Sequence, residues 1–369
     1  MTVMLVGLGA LGSRVLDGLL RAGAEHSVVV AGRDEQRTRT RFNLARFSAM
    51  QLTDRVPPSA TAHVDLCDVD RTAETIAAVR PDVIVNCATT MPYGLIARLP
   101  AGTRERLDAV GLGPWLATHL APADSLMRAV HLAGVDSAVV NCAYPDAVDP
   151  ALAGAGRAPL VGTGNVGNNE PAIRCALADR FGVPVEDVTV WMVMHHAVSH
   201  RIHRLGTAGG APFHLSATVG GSAVDVDSGS LFAELATRYR RGNGVDGRLM
   251  AAASTVAVTI ALLADSPRRL HVPGPSGLVG GYPAEVGLRQ VRVTPPPGLT
   301  EAAAVQLNVA AQRYDGIESI GPDGTVTFTA EAAEVFRTQL GHDCRSLRVD
   351  EASHLADELS ARCKERVSG

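Results

Sequence analysis

The chain opens on an apolar run, Val3 to Val6, that breaks at Gly7, Gly9 and Gly12 and continues into a stretch where Val15, Leu16, Leu19 and Leu20 recur at helical spacing. This pattern predicts a strand, a tight turn and an amphipathic helix. A second strand is expected over Ser27 to Ala31. Two later apolar runs, PDVIVNCATT at 81–90 and SAVVNCAYPD at 137–146, each break into small and polar residues at the carboxyl end, as buried parallel strands do. Between them lies MPYGLIARLPAGTRERL, a loop punctuated by Pro and Gly that leads to a helix near Leu107 and reads as a lid. Beyond Asp149 the pattern changes. Strand signals at 188–194 and 291–293 alternate with helical periodicity near 170–181, 248–264, 300–313 and 329–340, and no repeat is evident. The expectation is a doubly wound α/β domain with a parallel sheet over 1–150, an α+β domain over 151–345, and an exposed charged terminal helix over 346–369.

With 369 residues, 46% of them hydrophobic, the chain has enough apolar surface for two domains. A net charge of −4 provides no electrostatic footprint for nucleic acid. The start is a strand rather than a basic and apolar leader, and the apolar run at 249–264 is short and preceded by Arg248, so a cytoplasmic protein without a membrane partner is expected. Six cysteines, Cys67, Cys87, Cys142, Cys175, Cys344 and Cys363, are widely spread with no CxxC, which suits reduced thiols rather than a disulfide or zinc framework. Cys142, beside the expected crevice, reads as a small buried hydrophobe.

The segment GLGALG, Gly7-Leu8-Gly9-Ala10-Leu11-Gly12, lies where a dinucleotide fingerprint requires it, between a first strand and a helix. Gly7 permits the turn, Gly9 lets backbone approach a pyrophosphate, and Gly12 allows close helix–strand packing, with the helix N-terminus facing the anion. Ala88, Thr89 and Asn141, at the ends of later strands, are expected to line the same crevice. NAD-binding chains usually place an acid about 20 residues after the last glycine. Here Gly32 and Arg33 stand at that place. A guanidinium favours a 2′-phosphate by charge and bidentate geometry, so NADP(H) is expected over NAD(H). The competing reading makes Arg33 a solvated charge and gives the ribose to Asp34. Arg37, Arg39 and Arg41 read as a helix face or as part of the 2′-phosphate site.

The stretch GTGNVGNNEPAIRCALADRFGVPVEDVTVWMVMHHAVS, 162–199, carries a helix, then a strand running into His195-His196. With the fingerprint, PAGTRERLD at 100–108, YPDAVD at 144–149, and the later GNGVDG, LLADSPRRLHV, GLVGGYP, EVGLRQVRV and DGIESI, the chain resembles the lactate/malate dehydrogenase-like superfamily of NAD(P)-dependent oxidoreductases over most of its length. The resemblance implies that His196 is the proton-donating histidine, that His195 replaces the acidic residue before it, and that Arg104 is the carbonyl-polarising arginine of a mobile loop. His195 and Arg104 are expected to face substrate. The departures are informative. The family's aspartate that orients the histidine falls on Asn169, and its carboxylate-clamping arginine on Ala172. Its Asn before the proline falls on Tyr144, and its Gly-Asp-Ser after the histidine on Ala197-Val198-Ser199.

Without a guanidinium at 172, burial of a 2-oxo carboxylate there would cost several kcal/mol, which argues against a simple lactate or malate dehydrogenase. Asn169 retains the capacity to accept from His196 Nδ1; otherwise Glu170 replaces it. Tyr144 is a candidate second donor to a substrate carbonyl. The function expected is hydride transfer between NADP(H) and a carbonyl or hydroxyl group of a small specialised metabolite. Two alternatives stand: an imine (opine-type) reductase or NAD-dependent sugar-modifying enzyme, and a non-catalytic dinucleotide-binding sensor. The series His195, His196, His200, His203 and His214 invites a metal reading, but 188–196 reads as strand and no acid or thiol accompanies the set, so no metal is expected. A homodimer or homotetramer is implied by resemblance alone.

Overall fold

The computed structural model describes all residues of the chain except Ala24, Pro92, Asn243, Val245, Gly369 and the side chain of Tyr93. Pro92 of the expected lid, and Asn243 and Val245 of GNGVDG, therefore lie outside the described residues. The first half alternates β1 (Thr2–Val6), α1 (Ala10–Arg21), β2 (Ser27–Gly32), α2 (Glu35–Met50), β3 (Ser59–His63), α3 (Val69–Val79), β4 (Val83–Asn86), α4 (Tyr93–Ile96), α5 (Ala101–Ala109), α6 (Ala117–Ala133), β5 (Ala138–Asn141), α7 (Pro145–Gly154) and β6 (Val161–Gly162). The six strands form one parallel sheet in the order β3-β2-β1-β4-β5-β6. The order reverses between β1 and β4, which is where open α/β sheets place a ligand crevice.

The pleat of β1 explains its uniformly apolar sequence. Met4 and Val6 face one core with α6, while Val3 and Leu5 face the other with α1. The helix α1 buries Val15, Leu16, Leu19 and Leu20, the stripe that its spacing predicts.

The second half runs α8 (Glu170–Phe181), β7 (Val188–Val193), α9 (His196–Leu205), β8 (His214–Val219), β9 (Ser222–Val224), α10 (Ser228–Ala236), α11 (Arg248–Leu263), β10 (Arg268–Pro273), β11 (Gly281–Gly287), β12 (Gln290–Val293), α12 (Glu301–Ala311), β13 (Ile317–Ile320), β14 (Val326–Phe328), α13 (Ala330–Leu340), β15 (Ser346–Leu347) and α14 (Ala352–Ser368). Its strands form three small antiparallel sheets.

Three expectations are corrected. The division at residue 150 falls inside α7, and the parallel sheet continues to β6, because Val140 and Asn141 pair with Val161 and Gly162. The terminal helix is exposed on one face only, the other being buried. Ala352 and Ala356 of α14 join the core beneath α6, and Leu359 and Cys363 pack with Leu107, Trp115 and Phe336. Finally, the segment to His196 is not strand throughout: β7 stops at Val193 and His196 opens α9.

Candidate active site

The β1–α1 turn fits a dinucleotide. Gly7 has φ +93, and a Cβ there would lie 2.8 Å from the Ala88 nitrogen. A Cβ on Gly12 would collide with the Gly7 carbonyl, whereas one on Gly9 would meet no protein atom within 4 Å. Thus Gly7 and Gly12 are required by the fold itself, and Gly9 leaves open space at the first turn of α1, where Ala10 and Leu11 stand and backbone N–H groups lack helical acceptors. Above this turn the Arg41 guanidinium donates to the Leu8 carbonyl and lies 3.5 Å from Ser13 Oγ. Arg41 was legible only as one of three helix arginines; its place over the glycine loop is a structural finding. At the end of β2, a side chain on Gly32 would strike Thr38 Oγ1, and Arg33 is exposed. Asp34 caps α2, its Oδ1 accepting from Arg37 N at 2.9 Å.

On the crevice floor, Ala88 N donates to Asn86 Oδ1 at 3.1 Å, and Thr89 Oγ1 donates to the Met91 and Thr118 carbonyls, each at 3.2 Å. Asn141 is 1% exposed and its amide is fully engaged. It donates to Asp149 at 2.6 Å and to the Ala143 carbonyl, and accepts from Asn86 and Ala143 N. Contrary to expectation, Asn141 therefore braces the strand ends and presents no free donor or acceptor to a cofactor. Cys142 lies half-buried beside it, its sulfur accepting from Thr163 at 3.4 Å.

His196 is the centre of the polar chemistry. Its Nδ1 is 2.7 Å from Asp315 Oδ2, and Tyr144 Oη donates to that same oxygen at 2.6 Å. The other oxygen, Oδ1, accepts from Leu112 N at 2.9 Å. The His196 side chain remains 15% exposed, and its Nε2 has no hydrogen-bond partner among the described residues. Asp146, at the start of α7, accepts the His196 backbone N–H at 2.7 Å and also bonds Asn165, which fixes the start of α9 to the Rossmann half. Burial is the largest influence on Asp315 and works upward, yet the charges of His196 and His195, the His196 bond and the Leu112 N–H hold its carboxyl well below the usual range. For His196 the same contest ends the other way: burial pulls down, and Asp315 and Asp146 raise it above its ordinary value. Tyr144 is pushed well up by burial and by Asp315, so its hydroxyl stays protonated.

Four expected roles change. Asn169 does not meet His196; its Nδ2 donates to the Ser199 carbonyl at 3.3 Å and its Oδ1 accepts from Arg241 at 2.7 Å. Glu170 does not replace it either, being bonded to His271 Nδ1 at 2.7 Å. His195 is 0% exposed and caps α9, its Nδ1 accepting from Ala197 N at 3.2 Å, so it cannot face substrate. Tyr144, 4% exposed, spends its hydroxyl on Asp315 and positions that acid instead of donating to substrate. Arg104 lies on α5 and donates to the Ala97 carbonyl at 3.1 Å, within its own loop segment. Asp315, the acid that the sequence reading missed, lies 119 positions from His196 at the end of a 3₁₀ turn. Its one signal was its place in DGIESI, before a predicted closing strand. Among the described residues, no group of three His, Cys, Asp or Glu has an arrangement that could hold a metal ion.

The fold and the turn define a Rossmann dinucleotide-binding architecture joined to an α+β half that presents a histidine–carboxylate pair. Residues 3–98 match the model of the NAD dependent epimerase/dehydratase family. Among solved structures, the chain is similar to malate dehydrogenase from Salinibacter ruber, with a TM-score of 0.52 and 18% identity over 85% of this chain and 95% of that one. It is also similar to malate dehydrogenase from Plasmodium falciparum in complex with NADH, with a TM-score of 0.51 and 12% identity over 96% and 99%. A lactate dehydrogenase from a Medee basin deep-sea metagenome library aligns with a TM-score of 0.51 and 14% identity over 85% and 96%. No curated protein matches the sequence. The chain therefore has the lactate/malate dehydrogenase fold that its motifs suggested.

Proposed function

We propose that the protein is a nicotinamide-dinucleotide-dependent oxidoreductase that acts on the carbonyl or hydroxyl group of a small molecule, with NADP(H) preferred to NAD(H). The observation that carries this reading is the His196–Asp315 pair, with an unpartnered Nε2, in a fold whose first turn fits a dinucleotide. When bound, the dinucleotide supplies or accepts the hydride. His196 gives a proton from Nε2 to the substrate oxygen during reduction and takes it back in the reverse direction. Asp315 fixes the ring and stabilises its charged form, while Tyr144 and Leu112 N–H hold Asp315 in place. Arg104, on α5, is the candidate to polarise the substrate oxygen.

The case for NADP(H) rests on charge. No acid stands at position 32, where Thr38 would clash with one, Arg33 is exposed at the strand end, and Arg41 already covers the loop. Ala172 leaves no guanidinium for a 2-oxo carboxylate, which argues for a substrate other than lactate or malate. Self-association is supported by the exposed Leu44, Phe47 and Met50 on α2. No helix among the described residues is long and apolar enough to cross a membrane, and we place the protein in the cytoplasm.

The test is a fluorescence titration of wild type and Arg33→Asp with NADPH and NADH. Tight NADPH binding weakened more than tenfold by the substitution, about 1.4 kcal/mol, supports the reading and selects the cofactor for a panel of ketones, aldehydes and imines. Equal binding of NADH overturns the 2′-phosphate argument. Absence of binding to either overturns the function.

A further inference from the structure

The row of imidazoles on α9 ends at a guanidinium without an acid. Arg241 is half-buried, and its hydrogen-bond partners carry no negative charge: the Asn168 carbonyl, Asn169 Oδ1 at 2.7 Å and His203 Nδ1 at 3.1 Å. No carboxylate among the described residues forms an ion pair with it, and burial without a compensating charge pulls its pKa down to about 10. A cation held this way is costly unless an anion arrives to pair with it. Asn169 now has a reason to be an amide. It orients the guanidinium as an aspartate would, yet leaves its charge uncancelled.

A row of imidazoles leads from the reactive ring to this cation. His196 and His200 have ring centroids 5.4 Å apart, His200 and His203 5.7 Å, and Arg241 Nη2 lies 3.1 Å from His203 Nδ1. His200 is held neutral, at about 3, chiefly by burial and then by the charges of His196 and of Arg204, which bonds its ring. The seven positions from His196 to His203 amount to about 10 Å of helix rise.

We propose that Arg241 binds an anionic group of the substrate, a carboxylate or phosphate, roughly 10 Å along α9 from the carbon that reacts beside His196. This deepens the oxidoreductase reading and rests on it for the word substrate. The ligand class is an oxo or hydroxy compound with a terminal anion separated from the reacting centre by a spacer. A 2-oxo acid, whose carboxylate adjoins the carbonyl, is too short to span the two points.

The probes are inorganic phosphate, acetate, succinate, glutarate and adipate, titrated by calorimetry into the full-length protein with and without saturating NADPH, which occupies the other anion-binding loop. Phosphate or a dicarboxylate should bind in the presence of NADPH, and Arg241→Gln should weaken it at least tenfold without changing NADPH affinity. Asn169→Asp retains the arginine and supplies an internal counter-ion; it should weaken the same anion at least tenfold. Wild-type anion affinity in either folded variant, or binding of none of the probes by wild type, overturns the proposal. Anion binding lost in both variants of a protein that binds no dinucleotide would sustain the anion site and refute the oxidoreductase reading.

Discussion

Replacing Asp315 by Asn keeps the shape of the side chain and removes its charge, which isolates what the carboxylate does for His196. The two groups are 2.7 Å apart, with side-chain exposures of 15% and 3%. At an effective dielectric of about 20, a unit charge pair at that separation attracts by roughly 6 kcal/mol before desolvation is deducted. That is an upper bound of about four decades in rate for a step that charges the imidazole. A serine-protease Asp-to-Asn change of the same kind costs about 10⁴, so a loss of 10²- to 10⁴-fold in kcat/KM is expected, with little change in dinucleotide affinity. The assay is reduced-nicotinamide absorbance with the best acceptor from the carbonyl panel. A second readout needs no substrate: Asp315 raises His196, so in Asp315→Asn the His196 imidazole, followed by NMR, should titrate at lower pH than in wild type. Activity within twofold of wild type together with an unmoved His196 titration would refute the assignment of Asp315 as its partner.

The glycines make a discriminating pair. Gly9→Ala should keep wild-type thermal stability but lose dinucleotide binding, whereas Gly12→Ala, which meets the Gly7 carbonyl, should lose binding and also cost about 1–3 kcal/mol by urea unfolding; equal stability of the two would contradict the packing argument. Tyr144→Phe removes a hydrogen bond to a charged acceptor and should destabilise by about 1.5–3 kcal/mol, with unchanged stability as the adverse result. His119 is held neutral, at about 4, mainly by burial, so the unfolded chain takes up its proton first as pH falls below about 6.5. Its contribution is full above that pH and is lost between about 6.5 and 4, so His119→Gln should flatten the stability profile in that window; an unaltered profile counts against it. Phe47→Glu on the exposed face of α2 should leave a monomer by light scattering if that face is a self-association surface.

The parts of this molecule that local chemistry dictates were readable from the sequence. The fingerprint was found because strand, glycine turn and helix are contiguous, and Gly7 and Gly12 answer steric demands within a few residues or on a neighbouring strand while Gly9 leaves the turn open. The helices expected near 170–181, 300–313 and 329–340 form at Glu170–Phe181, Glu301–Ala311 and Ala330–Leu340. Asp315 was not readable because nothing in a run of residues records that a turn beyond α12 will reach α9. The helical start at His196 was obscured for a related reason. Val190, Met192, Val193 and Met194 form an apolar run that continues the strand pattern, whereas the helix begins because the buried His195 ring caps it and Asp146, from another element, accepts its first N–H. The burial of α14 was misread because its charged face dominates the composition, and only Ala352, Ala356, Leu359 and Cys363, spaced three to four apart, record the contact.

The departures at 169 and 172 take on a different meaning once both charges are located elsewhere. An alignment read by position sees a lost acid and a lost cation, and from these a decayed site. The structure instead supplies an acid to His196 from Asp315 and places a cation, Arg241, against Asn169 itself. The two exchanges are physically linked. With Asp315 charged and bonded to His196, an aspartate at 169 is no longer needed for the imidazole, and it would neutralise Arg241. The amide at 169 is the residue compatible with both. If the linkage holds, restoring the familiar acid by Asn169→Asp should not improve proton transfer; it should leave the His196 titration near its wild-type pH while abolishing anion affinity at Arg241. A substitution that instead raised the His196 titration would place Asn169 within reach of that ring and dissolve the distinction between the two ends of α9.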